Sequence, residues 1–191
     1  MLLAFVGITG IGKSYFAEEL SQKLGFKKVH TIRTREKRKG EEDGKTGYFM
    51  TEEELKKLKK QGKIAYDFKV FGGSYGYLKE EIFSKENYVF EMHYTTINDW
   101  KKVRPDIVTI YLLPTDINIS IQKIKERNLS KEKELYRIEE VKEHYNKFMQ
   151  DKNLQKQFDY VIYNNYDEES KENIIKLVKD ILIKNNSLAE F

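Results

Sequence analysis

The chain has 191 residues, enough for one well-packed domain with small mobile subdomains. Charged residues make up 35% and hydrophobic residues 39%, which describes a hydrophilic but foldable chain rather than a disordered one. It has no cysteine, so a disulfide framework, a thiol nucleophile and a cysteine metal site are excluded, and a net charge of +4 is too mild to point to nucleic acid by itself.

The elements follow in chain order. Leu2 to Val6 is a short apolar run that reads as a buried strand, and Tyr15 to Leu24 reads as a helix. Val29 to Ile32 reads as a short strand. Arg33 opens the basic stretch R-T-R-E-K-R-K-G, which ends at Gly40. Thr51 and Glu54 have the spacing of a capping box and open a helix to about Gln61. Ile64 to Val70 alternates apolar and polar residues, as a half-buried strand does. Gly72 to Gly76 reads as a tight turn, and Leu78 to Ser84 as a short helix. Tyr88 to Phe90 and Ile107 to Leu113 look like central parallel strands. Asp116 to Arg127 and Lys131 to Met149 are expected to be helical, Tyr160 to Tyr163 a last strand, and Glu168 to Ile183 an amphipathic helix. Strands alternating with helices predict an α/β fold around a parallel sheet.

Between the first strand and the first helix, Gly7 to Ser14 read G-I-T-G-I-G-K-S, the phosphate-loop pattern G-x-x-x-x-G-K-[ST] in its strand–loop–helix context. The glycines let several backbone N–H groups point at one anion, and the helix N-terminus adds partial positive charge there. Gly10, Ile11, Gly12, Lys13, Ser14 and Tyr15 are the expected contacts to the phosphates of a nucleoside triphosphate. Lys13 reaches the β- and γ-phosphates, and Ser14 can ligate Mg²⁺.

The basic stretch reads in three ways: a solvated surface loop, a nucleic-acid contact, or a clamp on a second phosphorylated substrate. Its arginines are followed by Gly40-Glu41 and Gly44, and that patterning favours the clamp. With Thr34-Arg35, Arg38, Gly40-Glu41, Gly44 and Phe49, the chain resembles the guanylate kinase family, whose signature is T-R-x-x-R-x-G-E-x-x-G-x-x-Y-x-F. Phe71 to Gly76 is similar to that family's G-N-Y-Y-G segment, and Val161 to Asn165 to its V-x-V-N-D-D segment. Order and spacing hold from Leu2 to about Leu182.

The resemblance implies a P-loop nucleoside monophosphate kinase fold with a parallel-sheet core, a small mixed acceptor-binding subdomain and a helical lid. The expected division is core at residues 1–30, 88–125 and 145–191, acceptor subdomain at about 31–87, and lid at about 126–144. It further implies ATP-dependent phosphorylation of GMP to GDP, with ATP as co-substrate and Mg²⁺ as cofactor. Arg35, Arg38 and Tyr75 would hold the acceptor phosphate. Arg127 and Arg137 would be lid arginines closing over the transferred group, and they join Lys13 and Arg35 as the expected catalytic set. Asn164 would lie beside the adenine of ATP. Glu91 stands where the family has an aspartate near magnesium.

Four departures surround the acceptor base. The family's serine, glutamate, serine or threonine, and aspartate correspond to Thr31, Tyr66, Tyr77 and His93. Two acceptors for the guanine N1–H and N2–H₂ donors are thereby lost. Asp67 supplies a carboxylate only with a one-residue register shift of its strand. His93 reads equally as a packed polar residue at a strand end, and Tyr66 and Tyr77 as space-filling rings. The family's phosphate-binding tyrosine is replaced by Gly47, with Tyr48 one place later.

The leading expectation is therefore a kinase acting on GMP, or on another nucleotide or phosphorylated small molecule in its place. A non-catalytic guanylate kinase-like binding module is the alternative, and the intact Gly12-Lys13-Ser14 argues against it. Small nucleotides are the expected partners. Neither a membrane nor nucleic acid is expected, because no segment has the length of a membrane span and no aromatic single-strand platform accompanies the basic run. The apolar run at the start has no basic region before it and is too short for a signal peptide, so a cytoplasmic location is expected. Oligomeric state is left open.

Overall fold

A computed structural model describes residues 1–37, 40–70, 73–127 and 129–188. Strand β1 (Leu2–Gly7) is followed by helix α1 (Lys13–Leu24), β2 (Lys27–Lys28), β3 (Ile32–Arg33), β4 (Tyr48–Phe49) and α2 (Glu52–Lys60). Next come β5 (Ile64–Val70), β6 (Gly73–Leu78), α3 (Lys79–Ile82) and β7 (Tyr88–Glu91). A 3₁₀ turn (Tyr94–Thr96), α4 (Ile97–Val103), β8 (Val108–Leu113) and α5 (Ile117–Lys125) follow. The chain ends with α6 (Lys131–Gln150), α7 (Lys152–Gln155), β9 (Tyr160–Tyr163) and α8 (Glu168–Leu188).

Two sheets result. The first is parallel, in the order β2-β7-β1-β8-β9. Its central strand β1 is buried from Leu2 to Val6, which is why that run carries no polar residue. Period-2 alternation sends Leu3 and Phe5 to one face, against Phe16, Leu20, Ile110, Leu112, Ile174 and Val178. Leu2, Ala4 and Val6 go to the other, against Phe90, Trp100, Tyr111 and Phe148. Both faces are apolar, so helices cover both.

The second sheet has the order β4-β3-β6-β5 and mixes parallel with antiparallel pairs. All four of its strands lie within residues 31–87. Helix α6 runs unbroken through residue 144, where the lid was expected to end.

The expected strand at Val29 to Ile32 is divided. Lys27–Lys28 pair with β7 in the first sheet, and Ile32–Arg33 pair with β4 and β6 in the second. The chain changes sheets between them, so no single strand spans the segment. Gly73 to Gly76, expected in a turn, lie in β6, while Gly72 falls outside the described residues. Tyr75 and Tyr77 stack on Phe68, and that cross-strand stacking outweighs the two glycines. A Cβ at Gly76 would lie 3.3 Å from Leu55 Cδ1, so this glycine lets α2 pack closely. The capping box of α2 forms as its sequence implies, with Thr51 and Glu54 bonding reciprocally. Helix α4 and the 3₁₀ turn before it were not anticipated. They are short, and they are held by burial of Tyr94, Ile97 and Trp100.

Candidate active site

The site is built at the C-terminal end of β1. Gly10 and Gly12 have φ of +87° and +93°, the left-handed region that glycine enters without strain. Gly12 caps α1, and among the described residues no side chain caps the helix's first N–H groups. Those donors remain available to an anion. Two contacts from beyond β9 hold the loop in shape. Asn164 Nδ2 donates to Ile11 O at 2.8 Å, and its Oδ1 accepts from Tyr166 N–H at 3.0 Å. The Tyr166 hydroxyl donates to Gly10 O. Tyr166 itself has φ +64°, rare for a large side chain. Asn164 is 3% exposed, so its amide is committed to the loop backbone.

Lys13 Nζ folds back onto the carbonyls of Gly7 (3.0 Å) and Ile8 (2.9 Å). Desolvation lowers its pKa, opposed by Glu91 and Glu140 and reinforced by Arg127. Arg127 is exposed, yet its field is felt at Lys13. Arg137 Nη1 donates to Glu140 Oε2 at 2.6 Å, and Thr9 Oγ1 lies 3.5 Å from the same oxygen. The residue linking α6 to the loop is thus Glu140, which the sequence motifs did not single out. Its only sequence signal is the i,i+3 pairing with Arg137.

Three cavities converge on Gly12, Lys13 and Ser14. One of about 390 Å³ is lined by Ser14, Glu91, Thr31, Lys28, Arg33 and Lys45, among others. Another, of about 340 Å³, includes Gly12, Tyr15, Asn164, Tyr166, Lys123 and Lys171. The third, of about 160 Å³, includes Lys13, Thr9, Glu91, His93, Glu140 and His144. Gly12, Tyr15 and Asn164 therefore share one cleft, Ser14 and Glu91 a second, and Lys13 with Glu91 the third. Among the described residues no cluster of three His, Asp or Glu side chains could hold a metal. The hydroxyl of Ser14 and the carboxylate of Glu91 are hard oxygen donors on one cavity. Such a pair fits Mg²⁺, which keeps most of its waters and binds substrate phosphates.

Beyond β3, Arg35 donates to both oxygens of Glu41, Nη1 at 2.6 Å and Nη2 at 2.7 Å. Glu41 and then Tyr75 hold its pKa above even the usual arginine range, against desolvation. Its Nε is buried without a partner among the described residues. Arg38 lies outside the described residues.

Thr31 lines the large cleft, and its side chain bonds Tyr77, whose hydroxyl burial pushes up to about 12. Tyr66 stacks with Phe68 and Tyr77 and tilts against Trp100 at 5.1 Å. Its hydroxyl lies 3.4 Å from Asp99 Oδ2. Asp67 points to the other face of β5, where Lys59 Nζ meets it at 2.6 Å. The β5–β6 ladder does slip by one residue between Ile64 and Tyr66, but Asp67 pairs opposite Gly76. His93 joins the small cavity, its ring edge-on to His144 at 5.3 Å, and desolvation lowers the pKa of both.

Comparison with known proteins identifies the family. A family model described as guanylate kinase matches residues 2–185. A guanylate kinase of Streptococcus pneumoniae is 30% identical over 171 residues, covering 86% of this chain and 79% of that protein. One from Rickettsia prowazekii is 27% identical over 188 residues, covering 96% and 92%. The crystal structure of guanylate kinase from Anaplasma phagocytophilum superposes with a TM-score of 0.66 at 20% identity, over 94% of this chain and 85% of that one. It shows the shared P-loop kinase fold. With the family model matching nearly its whole length, the chain belongs to the guanylate kinase family.

Proposed function

We propose that the chain transfers the γ-phosphoryl group of ATP to GMP, giving ADP and GDP. The observation that carries this reading is the uncapped N-terminus of α1, with Lys13 and Ser14 on it, opening into a cleft lined by Arg33, Lys28 and Lys45. A triphosphate fits the first feature and a phosphorylated acceptor the second.

An oxygen of the acceptor phosphate attacks the γ-phosphorus, and the bond to the β–γ bridging oxygen breaks. The attacking oxygen is already anionic, so no general base is needed. Catalysis is alignment plus neutralisation of spread negative charge. The loop amides and Lys13 hold the β- and γ-phosphates, Lys13 giving up its contacts to Gly7 and Ile8. Arg35, with Tyr75 and Arg38, holds the acceptor phosphate. Arg137 leaves Glu140 for the transferring group as the lid closes, and Arg127 adds charge there. Closure excludes water, which otherwise competes as acceptor. Ser14 and Glu91 are the residues that would hold Mg²⁺, which when bound neutralises phosphate charge. Asn164 acts on the adenine side by fixing the loop. A cytoplasmic enzyme of residues 1–30, 88–125 and 145–191 as core, about 31–87 as acceptor subdomain and about 126–144 as lid accords with these roles.

A second reading keeps the chemistry and changes the acceptor. Aromatic rings at Tyr66 and Tyr77, with Asp67 paired to Lys59, favour stacking on a base over reading guanine's donors. Measuring GDP formation from ATP and GMP, beside other nucleoside monophosphates, separates the two.

A further inference from the structure

Gly47 stands where the family places a phosphate-binding tyrosine, but the space is filled. A Cβ at position 47 would lie 2.8 Å from Arg33 Nη1 and 3.2 Å from Arg33 Cζ. It would also lie 2.6 Å from the Thr31 carbonyl oxygen, and Gly47 has φ +154°. Any side chain here would displace the Arg33 guanidinium, so Gly47 and Arg33 are one structural choice.

The guanidinium is well fixed. Nη1 donates to Thr46 O at 2.8 Å and lies 3.5 Å from Glu41 Oε1, and Cζ sits 5.5 Å from the centroid of Phe49. Both polar contacts engage Nη1. Among the described residues the other edge of the fork, Nη2 and Nε, is uncommitted. Arg35 shares both anchors: it binds Glu41 with two bonds and lies 5.8 Å from the Phe49 ring centroid. Two arginines therefore stand on one aromatic ring around one carboxylate. Of these two, Arg33 lines the large cleft, with Lys28 and Lys45, facing Ser14 and Glu91 across it.

A purely structural arginine would bridge backbone and carboxylate and be turned from the cavity. This one lines a cation-rich cleft and has two donors of its fork, Nη2 and Nε, left over among the described residues, and such a pair matches phosphate oxygens. We infer that Arg33 is an acceptor-binding residue: it engages the phosphate of the nucleoside monophosphate from the space that Gly47 leaves open, alongside Arg35. The inference rests on the guanylate kinase reading above. A neutral, single-donor phenol is thereby exchanged for a charged, forked donor. Glu41 preorganises both arginines until the phosphate arrives.

The test is steady-state kinetics on the full chain with ATP and GMP, for wild type, Arg33→Ala and Arg33→Lys, with thermal melts alongside. Removing a charged hydrogen bond should raise the KM for GMP about 10- to 100-fold in Arg33→Ala. The KM for ATP and kcat at saturating GMP should stay within about threefold, because the contact exists before and during transfer. Arg33→Lys should recover part of the loss through charge without the fork. An unchanged KM for GMP in Arg33→Ala overturns the inference, and so does a parallel rise in both KM values with a lowered melt. If wild type turns over GMP and only the variant comparison fails, Arg33 alone is misassigned. If wild type neither turns over nor binds GMP, the guanylate kinase reading falls and the inference with it.

Discussion

Asn164→Asp is a near-isosteric change with a large predicted effect. In the native chain the Asn164 amide donates to Ile11 O at 2.8 Å and accepts from Tyr166 N–H at 3.0 Å. Aspartate keeps the second bond and inverts the first, setting a carboxylate oxygen against a carbonyl oxygen. The residue is 3% exposed, so water cannot repair the clash. Leaving one buried acceptor unsatisfied costs about 1–3 kcal/mol, and the buried charge raises that to roughly 3–5 kcal/mol. For a domain of this size each kcal/mol lowers Tm by about 2–4 °C, so a drop of roughly 6–20 °C is expected. The introduced carboxyl should have a folded pKa raised above the unfolded ~3.9, because both burial and the carbonyl disfavour its charge. The penalty is therefore full at neutral pH and fades as pH falls toward that raised value, where the protonated acid can donate to Ile11 O. The assay is differential scanning fluorimetry of both proteins across pH, with KM for ATP at neutral pH. KM for ATP should rise as the loop loses its shape. A variant that melts like wild type at neutral pH and binds ATP normally would refute the loop-fixing role of Asn164.

Lys13→Ala should abolish phosphoryl transfer and leave a cooperative melt, since the hydrogen bonds of Lys13 Nζ among the described residues go to loop carbonyls; equal loss of melt and activity would point to a structural role. Arg137→Ala should lower kcat by about 10³-fold or more with little change in ATP binding, read by turnover at saturating substrates and by calorimetry. His93 and His144 both have pKa values lowered by desolvation, so the folded state resists their protonation. The stability they permit is present above about 6.5 and is lost as pH falls below it, and the double His93→Asn, His144→Asn variant should flatten that fall in Tm. Loss of the family's guanine acceptors should bring kcat/KM for IMP close to that for GMP, because Tyr66 and Tyr77 leave guanine's N2 amino group without a carboxylate; selectivity for GMP of about 10⁴ would contradict this.

The phosphate loop was legible in the sequence because its chemistry is local: seven consecutive peptide units and one helix start make the anion site. The parallel sheet was legible for a related reason, since strands buried on both faces leave continuous apolar runs such as Ile107 to Leu113. What the sequence hides is pairing at a distance. Arg33 looks like one more charge in a basic run until Gly47 is found empty beside it. Asn164 has the position of an adenine contact, but its amide is taken by a carbonyl 153 residues away in the chain. Tyr166 reaches the loop from beyond β9 and Glu140 from α6, and no local pattern marks either. The course of the chain around Val29 to Ile32 was hidden too, because V-H-T-I does not say that the chain leaves one sheet after Lys28 and enters another at Ile32.

The central claim is phosphoryl transfer from ATP to GMP at this site. Its most direct test is ³¹P NMR of the purified full chain with ATP, Mg²⁺ and GMP, beside Lys13→Ala under the same conditions. The account predicts ADP and GDP appearing in equal amounts with wild type and neither with the variant. ADP and free phosphate without GDP, or ADP formed at the same rate whether or not GMP is present, would contradict it.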